Sequence, residues 1–444
     1  MKKTTCFLLF TVLLILSIEG CRSHTAPLPP IVSTITNNTR TVTITPNLTA
    51  GSLTATKTMT VLPDWTATDT PVYAGTSTVT RTSTVPAVYT ATSTFTVTPT
   101  FTSTISYVPA KQCASGYSHT LVMKSDGSVW ATGFNFRGQL GTSDNTARNV
   151  LTPVCTGASS IAGAGVNSVV IKTDGSLWGT GMNVNGQLGI PDGLDKNTFV
   201  PMLTGVTAAA CGEGHTLALK TDGTLWAAGV NTKGQLGTSD NTDRNIFVQV
   251  LTGVKSIAAA GSVSMAIKYD NSLWVTGENL YGCLGLGDTD DRNAFTQAIT
   301  GVASAAAGYW HTIILRSDNS VWATGWNYSG ELGTGDNIDR NEYTQVYTGA
   351  AAIGCGGSTS MVLLPGGNLM VTGLNSVGEL GLTDYSNRNS FVQTKINTAS
   401  FSGGNNFTHT IGTDGTMWAT GYNADGQLGT GDNTTMRNTW IEIH

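Results

Sequence analysis

Gly229-Val-Asn-Thr-Lys-Gly-Gln-Leu-Gly237 is one of seven copies of a Gly-x-Asn-x-x-Gly-x-Leu-Gly pattern. The copies begin at Gly133, Gly181, Gly229, Gly277, Gly325, Gly373 and Gly421, each 48 residues after the last, with no insertion between them. Three residues before the first glycine stands Trp130, Trp178, Trp226, Trp274, Trp322 or Trp418, with Met370 in the sixth copy. A period in the forties with a tryptophan signature predicts a β-propeller, in which each repeat supplies one four-stranded blade.

The stretches around the pattern point the same way. Thr216-Leu-Ala-Leu-Lys220 and Leu225-Trp-Ala227 are alternating apolar runs on either side of Asp222-Gly223, a strong hairpin signal. The turn recurs at Asp126-Gly127, Asp174-Gly175 and Asp414-Gly415, and as Asp-Asn at Asp270 and Asp318. Upstream come runs of small residues such as Ile257-Ala-Ala-Ala-Gly261 and Ala303-Ser-Ala-Ala-Ala-Gly308. Blades converging on an axis leave their innermost strands room for Ala, Gly and Ser, while tryptophan belongs farther out, between blades. The last strand, Trp440-Ile-Glu-Ile443, falls at the repeat phase of Thr152-Pro-Val-Cys155, so seven whole units fill residues 107–444 and the ends meet at one seam. The period leaves open whether that seam lies inside a blade or between two. The expected fold class is all-β, a seven-bladed propeller of four-stranded blades.

Thr252-Gly-Val-Lys-Ser-Ile-Ala-Ala-Ala-Gly261 and the Gly229–Gly237 stretch resemble the repeat of the regulator of chromosome condensation family, a likeness that runs through residues 107–444. The resemblance implies a seven-bladed propeller. The repeat is also similar to that of secreted bacterial β-lactamase-inhibitor proteins, which bind a protein partner through one face. Nuclear members of the family promote guanine-nucleotide exchange on a small GTPase and contact chromatin, using a loop elaboration and a basic tail. This chain has no insertion between copies and a threonine-rich leading segment, so exchange activity is not expected.

Ahead of the repeat, Lys2 and Lys3 precede an apolar run, Phe7 to Ile18, too short to cross a bilayer as a mature helix. Residues 1–20 read as a signal peptide. The run ends in Ile18-Glu19-Gly20-Cys21, which resembles a bacterial lipobox, with Glu19 where a small residue is usual. Cys21 is therefore the expected lipidation site, and several acyl chains would hold it stably where one would not. Residues 21–106 are dominated by Thr, Ser, Val and Pro and read as a stalk or linker. As a flexible coil, 85 or so residues would reach roughly 50 Å. Their Thr/Val/Phe alternation also carries strand propensity. An exported protein of the bacterial envelope follows, at the outer membrane or cell surface, touching the membrane only through its lipid.

A net charge of −5 supplies no basic footprint, so nucleic acid is not an expected partner. Beyond Cys6 and Cys21, the thiols Cys113, Cys155, Cys211, Cys283 and Cys355 are odd in number and lack Cys-x-x-Cys or Cys/His spacing. They read as packing residues, not as disulfides or a zinc site. After each Leu-Gly an Asp recurs, from Asp144 to Asp432, followed by Arg or Lys. Such a loop offers oxygen donors for calcium. The cation inside every copy, and Asp's habit of closing turns on its own backbone, favour a structural Asp/Arg interaction between strands or blades. His119, His215 and His311 recur in copies one, three and five and read as hydrogen-bonded structural residues.

No nucleophile elbow, phosphate loop or paired-histidine metal motif occurs, so neither a catalytic residue nor a cofactor or metal is assigned. What varies between copies is the loops. Tyr309, Trp310, Trp326 and Tyr328 gather in the fifth and Tyr117, Phe134 and Phe136 in the first, and large rings are what binding patches use. The leading expectation is a monomeric, non-catalytic envelope module that binds a protein or glycan through one propeller face. A polysaccharide hydrolase or lyase, and a purely structural envelope protein, are the alternatives. Paired carboxylates in one pocket would mark the hydrolase.

Overall fold

Seven antiparallel four-stranded sheets succeed one another in the computed structural model, which describes residues 108–443 and, before them, the backbone of five strands. Of those five, Val32–Thr36, Thr39–Thr43 and Thr94–Thr96 form one sheet, and Leu53–Val61 pairs with Gly75–Ser83. They belong to a separate unit, Met1–Tyr107, while Val108–His444 is the propeller. The signal peptide, Cys21 and the rest of the stalk lie outside the described residues.

Blade one runs outward from the axis as Ala110–Ser115, His119–Lys124, Val129–Gly133 and Arg148–Cys155. Blade seven runs as Thr398–Gly403, Phe407–Gly412, Met417–Tyr422 and Met436–Ile443. Every blade is one contiguous stretch of chain, so the seam falls between blades. It is closed by two bonds that recur at five of the other six interfaces: Thr132 Oγ1 donates to Gly426 O at 2.8 Å, and Gly431 N to Asn149 O at 2.8 Å.

The burial of each strand follows from its radius. His119–Lys124 is buried along nearly its whole length because a neighbouring blade covers each face, and a strand covered on both faces has no solvent side to alternate toward. The outermost Arg148–Cys155 is only partly covered. The apolar core is accordingly divided among the interfaces. Leu121, Met123, Val129 and Leu140 of blade one pack on Ile161 and Val170 of blade two, and Cys113 and Val122 close on Phe407, Ile411 and Leu428 of blade seven. Each fully buried leucine contributes about 1.5–3 kcal/mol.

Two local devices set the blades at their angle. Trp130, Trp226 and Trp322 pack on the buried side chains of the preceding blade, each with its outer face under a cation, as with Lys220 Nζ at 4.3 Å from the Trp226 ring. The glycine ending the repeat pattern is the second. Gly237 has φ of 71°, and a Cβ there would stand 2.5 Å from the Phe295 ring of the next blade, so only glycine lets that ring close on the loop. At the hairpins, Asp222 Oδ1 accepts Thr224 N at 2.9 Å, and where Asn replaces Gly it takes the left-handed conformation, with φ of 63° at Asn271.

Candidate functional site

Strand alternation sorts the loops onto two faces. One face carries the Asp-Gly hairpins and the short returns between blades. The other carries the turns after each innermost strand and the long loops that begin in the repeat pattern. All seven aromatic candidates lie in loops of this second face.

The long loop is held from inside. Asn231, fully buried, accepts Leu236 N at 2.9 Å on Oδ1 and donates from Nδ2 to Thr238 Oγ1 at 2.9 Å and Asp240 O at 2.8 Å. Asp240 Oδ1 then accepts Thr242 N, and Oδ2 accepts Arg244 Nη2 at 2.6 Å. Equivalent Asp–Arg or Asp–Lys contacts of 2.5–2.7 Å occur in every blade. Each pair spans four or five residues, from the loop Asp to the start of the outermost strand that the loop leads into, and does not bridge two strands or two blades as the sequence had suggested. The Arg148 guanidinium holds the Asp144 carboxyl down at about 2. With one oxygen on a backbone amide and the other on a cation, these carboxylates are committed to the loop. Among the described residues no group of three or more His, Cys, Asp or Glu stands close enough to hold a metal ion.

The recurring histidines are buried and face the next blade. His119, His215 and His311 place Nε2 at 2.9, 2.8 and 3.0 Å from Ser168, Ser264 and Ser360 Oγ. Burial lowers each to about 4, so they are neutral at ordinary pH. Cys113, Cys155, Cys211, Cys283 and Cys355 are free thiols. Burial pushes Cys113 and Cys211 up to about 12, so both stay protonated packing groups.

Five of the aromatic candidates form one chain of ring contacts. Tyr117 of blade one meets Tyr309 of blade five with centroids 6.2 Å apart, a contact made over the channel mouth between blades that are not neighbours. Tyr309 touches Trp310, Trp310 touches Trp326 at 6.1 Å, and Trp326 touches Tyr328 at 5.8 Å. Trp310 is 41% exposed and Tyr328 73%. Phe134 and Phe136 make a pair of their own at 6.3 Å, with Phe136 66% exposed. Tyr281, which the sequence reading missed, packs edge-on against Trp326 at 4.3 Å and against Trp310 at 6.0 Å. Its signal was available: it occupies the last variable position before the second glycine of copy four, one loop away from Trp326.

Two hollows open beside these rings. One is the central channel, about 300 Å³, walled by the seven innermost strands, with Tyr117, Glu213 and Tyr309 at its mouth. The other, also about 300 Å³, lies over blades two and three, between Met182, Asn185 and Gln187 on one side and Val230, Thr232 and Gln235 on the other. Glu213 is the one carboxylate among the described residues lining either hollow. The two opposed carboxyl groups that glycoside hydrolysis requires are therefore missing from both.

A seven-bladed ring with a constant scaffold and one variable, aromatic loop face is an interaction scaffold of the RCC1 type. The chain belongs to the RCC1-like domain family, whose model matches residues 89–352. No curated protein matches the sequence. Among solved structures, human WBSCR16 superposes with a TM-score of 0.62 at 20% identity, covering 72% of this chain and 89% of that one. Yeast RCC1 (Prp20), solved with Kap60, gives 0.61 at 20% identity over 67% of this chain and 78% of that one. Prp20p from Saccharomyces cerevisiae, described with its binding to Gsp1p and histones, gives 0.60 at 21% identity over 66% and 80%. At these identities the likeness is one of fold.

Proposed function

We propose that this protein is a non-catalytic binding module of the bacterial envelope, tethered through a lipidated Cys21 and the threonine-rich segment, which recognises a protein partner with its aromatic loop face. The observation that carries the reading is the linked cluster of Tyr117, Tyr309, Trp310, Trp326 and Tyr328, ringed by loops whose backbones are fixed from within. A scaffold held constant for folding leaves its loops free to vary for recognition, and exposed Trp and Tyr on rigid loops are the residues that anchor interfaces. The rings favour a protein over a glycan. Trp310 and Trp326 meet at 64° and Tyr281 and Trp326 at 63°, which makes a ridged apolar surface and not the flat platform on which a sugar ring lies. The single carboxylate in the neighbouring hollows argues against the hydrolase alternative.

Affinity capture from envelope extracts with the full chain tests this. Trp310→Ala with Trp326→Ala is expected to lose the captured partner, and Tyr269→Ala, an exposed ring on the opposite face, to keep it. The partner should disappear when the extract is treated with protease and survive glycosidase; the reverse would make it a glycan. Equal capture by wild type and the double variant removes the site. Incorporation of labelled palmitate that is abolished by Cys21→Ala tests the anchor.

A further inference from the structure

The channel mouth and the hollow beside it share one lip, formed by Tyr117, Gly165 and Glu213. Glu213 is exposed there, and among the described residues no salt bridge or side-chain hydrogen bond engages its carboxylate. Among the described residues no lysine, arginine or histidine lines either hollow. Tyr117, 44% exposed, lines both hollows with Glu213, and its ring stands 6.2 Å, centroid to centroid, from that of Tyr309 across the mouth. Tyr309 feels the same neighbourhood: burial, then Tyr117 and Glu213 nearby, push its hydroxyl up. The second hollow supplies an apolar bed in Val166, Met182 and Val230.

An uncompensated carboxylate and a tyrosine ring that share one lip attract a cation, by charge and by the ring quadrupole together. The apolar bed suits a long aliphatic stem that carries its charge at the tip. We propose that this lip receives a cationic side chain of the partner, lysine or arginine, with its stem over Val166, Met182 and Val230 and its charge between Glu213 and the Tyr117 ring. The inference rests on the loop face being the binding face and adds the chemistry it selects. A partner surface rich in Lys or Arg follows, complementary to a chain of net charge −5.

The full chain would be titrated with Nα-acetyl-lysine methylamide, Nα-acetyl-arginine methylamide and the neutral Nα-acetyl-norleucine methylamide, followed by ligand-observed NMR. The better of the two cations is expected to bind at least tenfold more tightly than norleucine, and which one it is identifies the side chain. Glu213→Gln should remove that tenfold preference, while Glu342→Gln, an exposed carboxylate on an outermost strand, should leave it. Equal binding of the cationic and neutral probes, no binding of either cation, or an unaltered preference in Glu213→Gln overturns the inference. Partner capture that is lost in the Trp310/Trp326 double variant but kept in Glu213→Gln would overturn this inference alone and leave the wider proposal standing.

Discussion

The interface between blades one and two and the interface between blades two and three use the same positions with different chemistry. In the first, Ser168 Oγ donates to Gln139 O at 2.7 Å, so His119 must donate its Nε2 proton to Ser168, and buried Nδ1 has no hydrogen-bond partner among the described residues. In the second, Asn167 stands where the histidine would be and donates back to Met182 O in its own blade, while Thr216 Oγ1 reaches Gln187 O at 2.7 Å. The alternation continues around the ring: His215 meets Ser264 and His311 meets Ser360, whereas Val263 and Thr359 take the histidine position in blades four and six. Its correlates are local. Gly116, Gly212 and Gly308 give room to the imidazoles, since a Cβ at each would stand 2.1–2.2 Å from the ring, and in blades two, four and six, which lack that histidine, the place holds Ala164, Ala260 and Gly356. Serine in place of threonine removes the methyl that would crowd the ring. The folding unit is thus one repeat, but the unit of sequence is a pair. Seven is odd, so the seam joins two blades of the same kind, and there Phe407 fills the histidine position over Gly404, making that contact apolar.

Acid should separate the two kinds of interface most strongly. The buried histidines have folded pKa values of about 4 against an ordinary 6.5, so between those values the unfolded chain binds more protons. Their contribution is whole above pH 6.5 and is lost as pH falls toward 4, by about 3 kcal/mol for each histidine. His409, buried in blade seven and lowered to about 4 as well, adds to the loss. The denaturant midpoint is expected to drop steeply between pH 7 and pH 4.5. Replacing His119, His215 and His311 with Val, the residue blade four uses, should flatten most of that slope. A midpoint unchanged over this range would show that the imidazoles accept protons in place.

How far such detail could be read from the chain depends on its range. The period, the hairpins and the small innermost residues are local, and they predicted seven four-stranded blades before any contact was known. The seam could not be located, because a strict repeat looks the same from every starting phase. It took the pairing of Met436–Ile443 with its own blade to place it. Histidines at alternate copies were visible in sequence, but their partners sit 49 residues away in the next blade, beyond any local rule. Tyr117 and Tyr309 were each legible as rings on variable loops. That they touch follows only from the narrowness of the channel mouth, which small innermost side chains create.

A smaller effect is expected where a charge replaces an amide within the repeat. Gln139, Gln187, Gln235 and Gln427 accept the backbone amide two residues before them, and Glu331 and Glu379 do the same in blades five and six. Burial raises Glu331 to about 7 from 4.5, and it raises Glu379 too. The folded chain therefore binds more protons in that window, and stability is lost as pH rises through it, in the opposite sense to the histidines. Glu331→Gln should raise stability by about 2–3 kcal/mol at pH 8 and by little at pH 4.5, measured as urea midpoints. A gain of equal size at both pH values would assign the effect to packing and not to charge.

The smallest expected change is at the interface between blades two and three. In six blades a threonine on the third strand donates to a glycine carbonyl of the preceding blade's loop, as Thr276 Oγ1 does to Gly234 O at 2.9 Å and Thr180 Oγ1 to Gly138 O at 2.8 Å. Blade three has Ala228 instead, so Gly186 O lacks this donor. The space of the missing methyl is not empty: Phe247 is buried there, and a Cβ on Gly189 would come within 2.3 Å of its ring. Ala228→Thr adds one buried hydrogen bond, worth about 1 kcal/mol net, and asks Phe247 to withdraw to the position Phe295 and Phe391 hold in their blades. A rise in the urea midpoint with an unchanged slope is expected. A fall would mean that Phe247 cannot retreat, and that this interface is held by its ring where the other six are held by a hydroxyl.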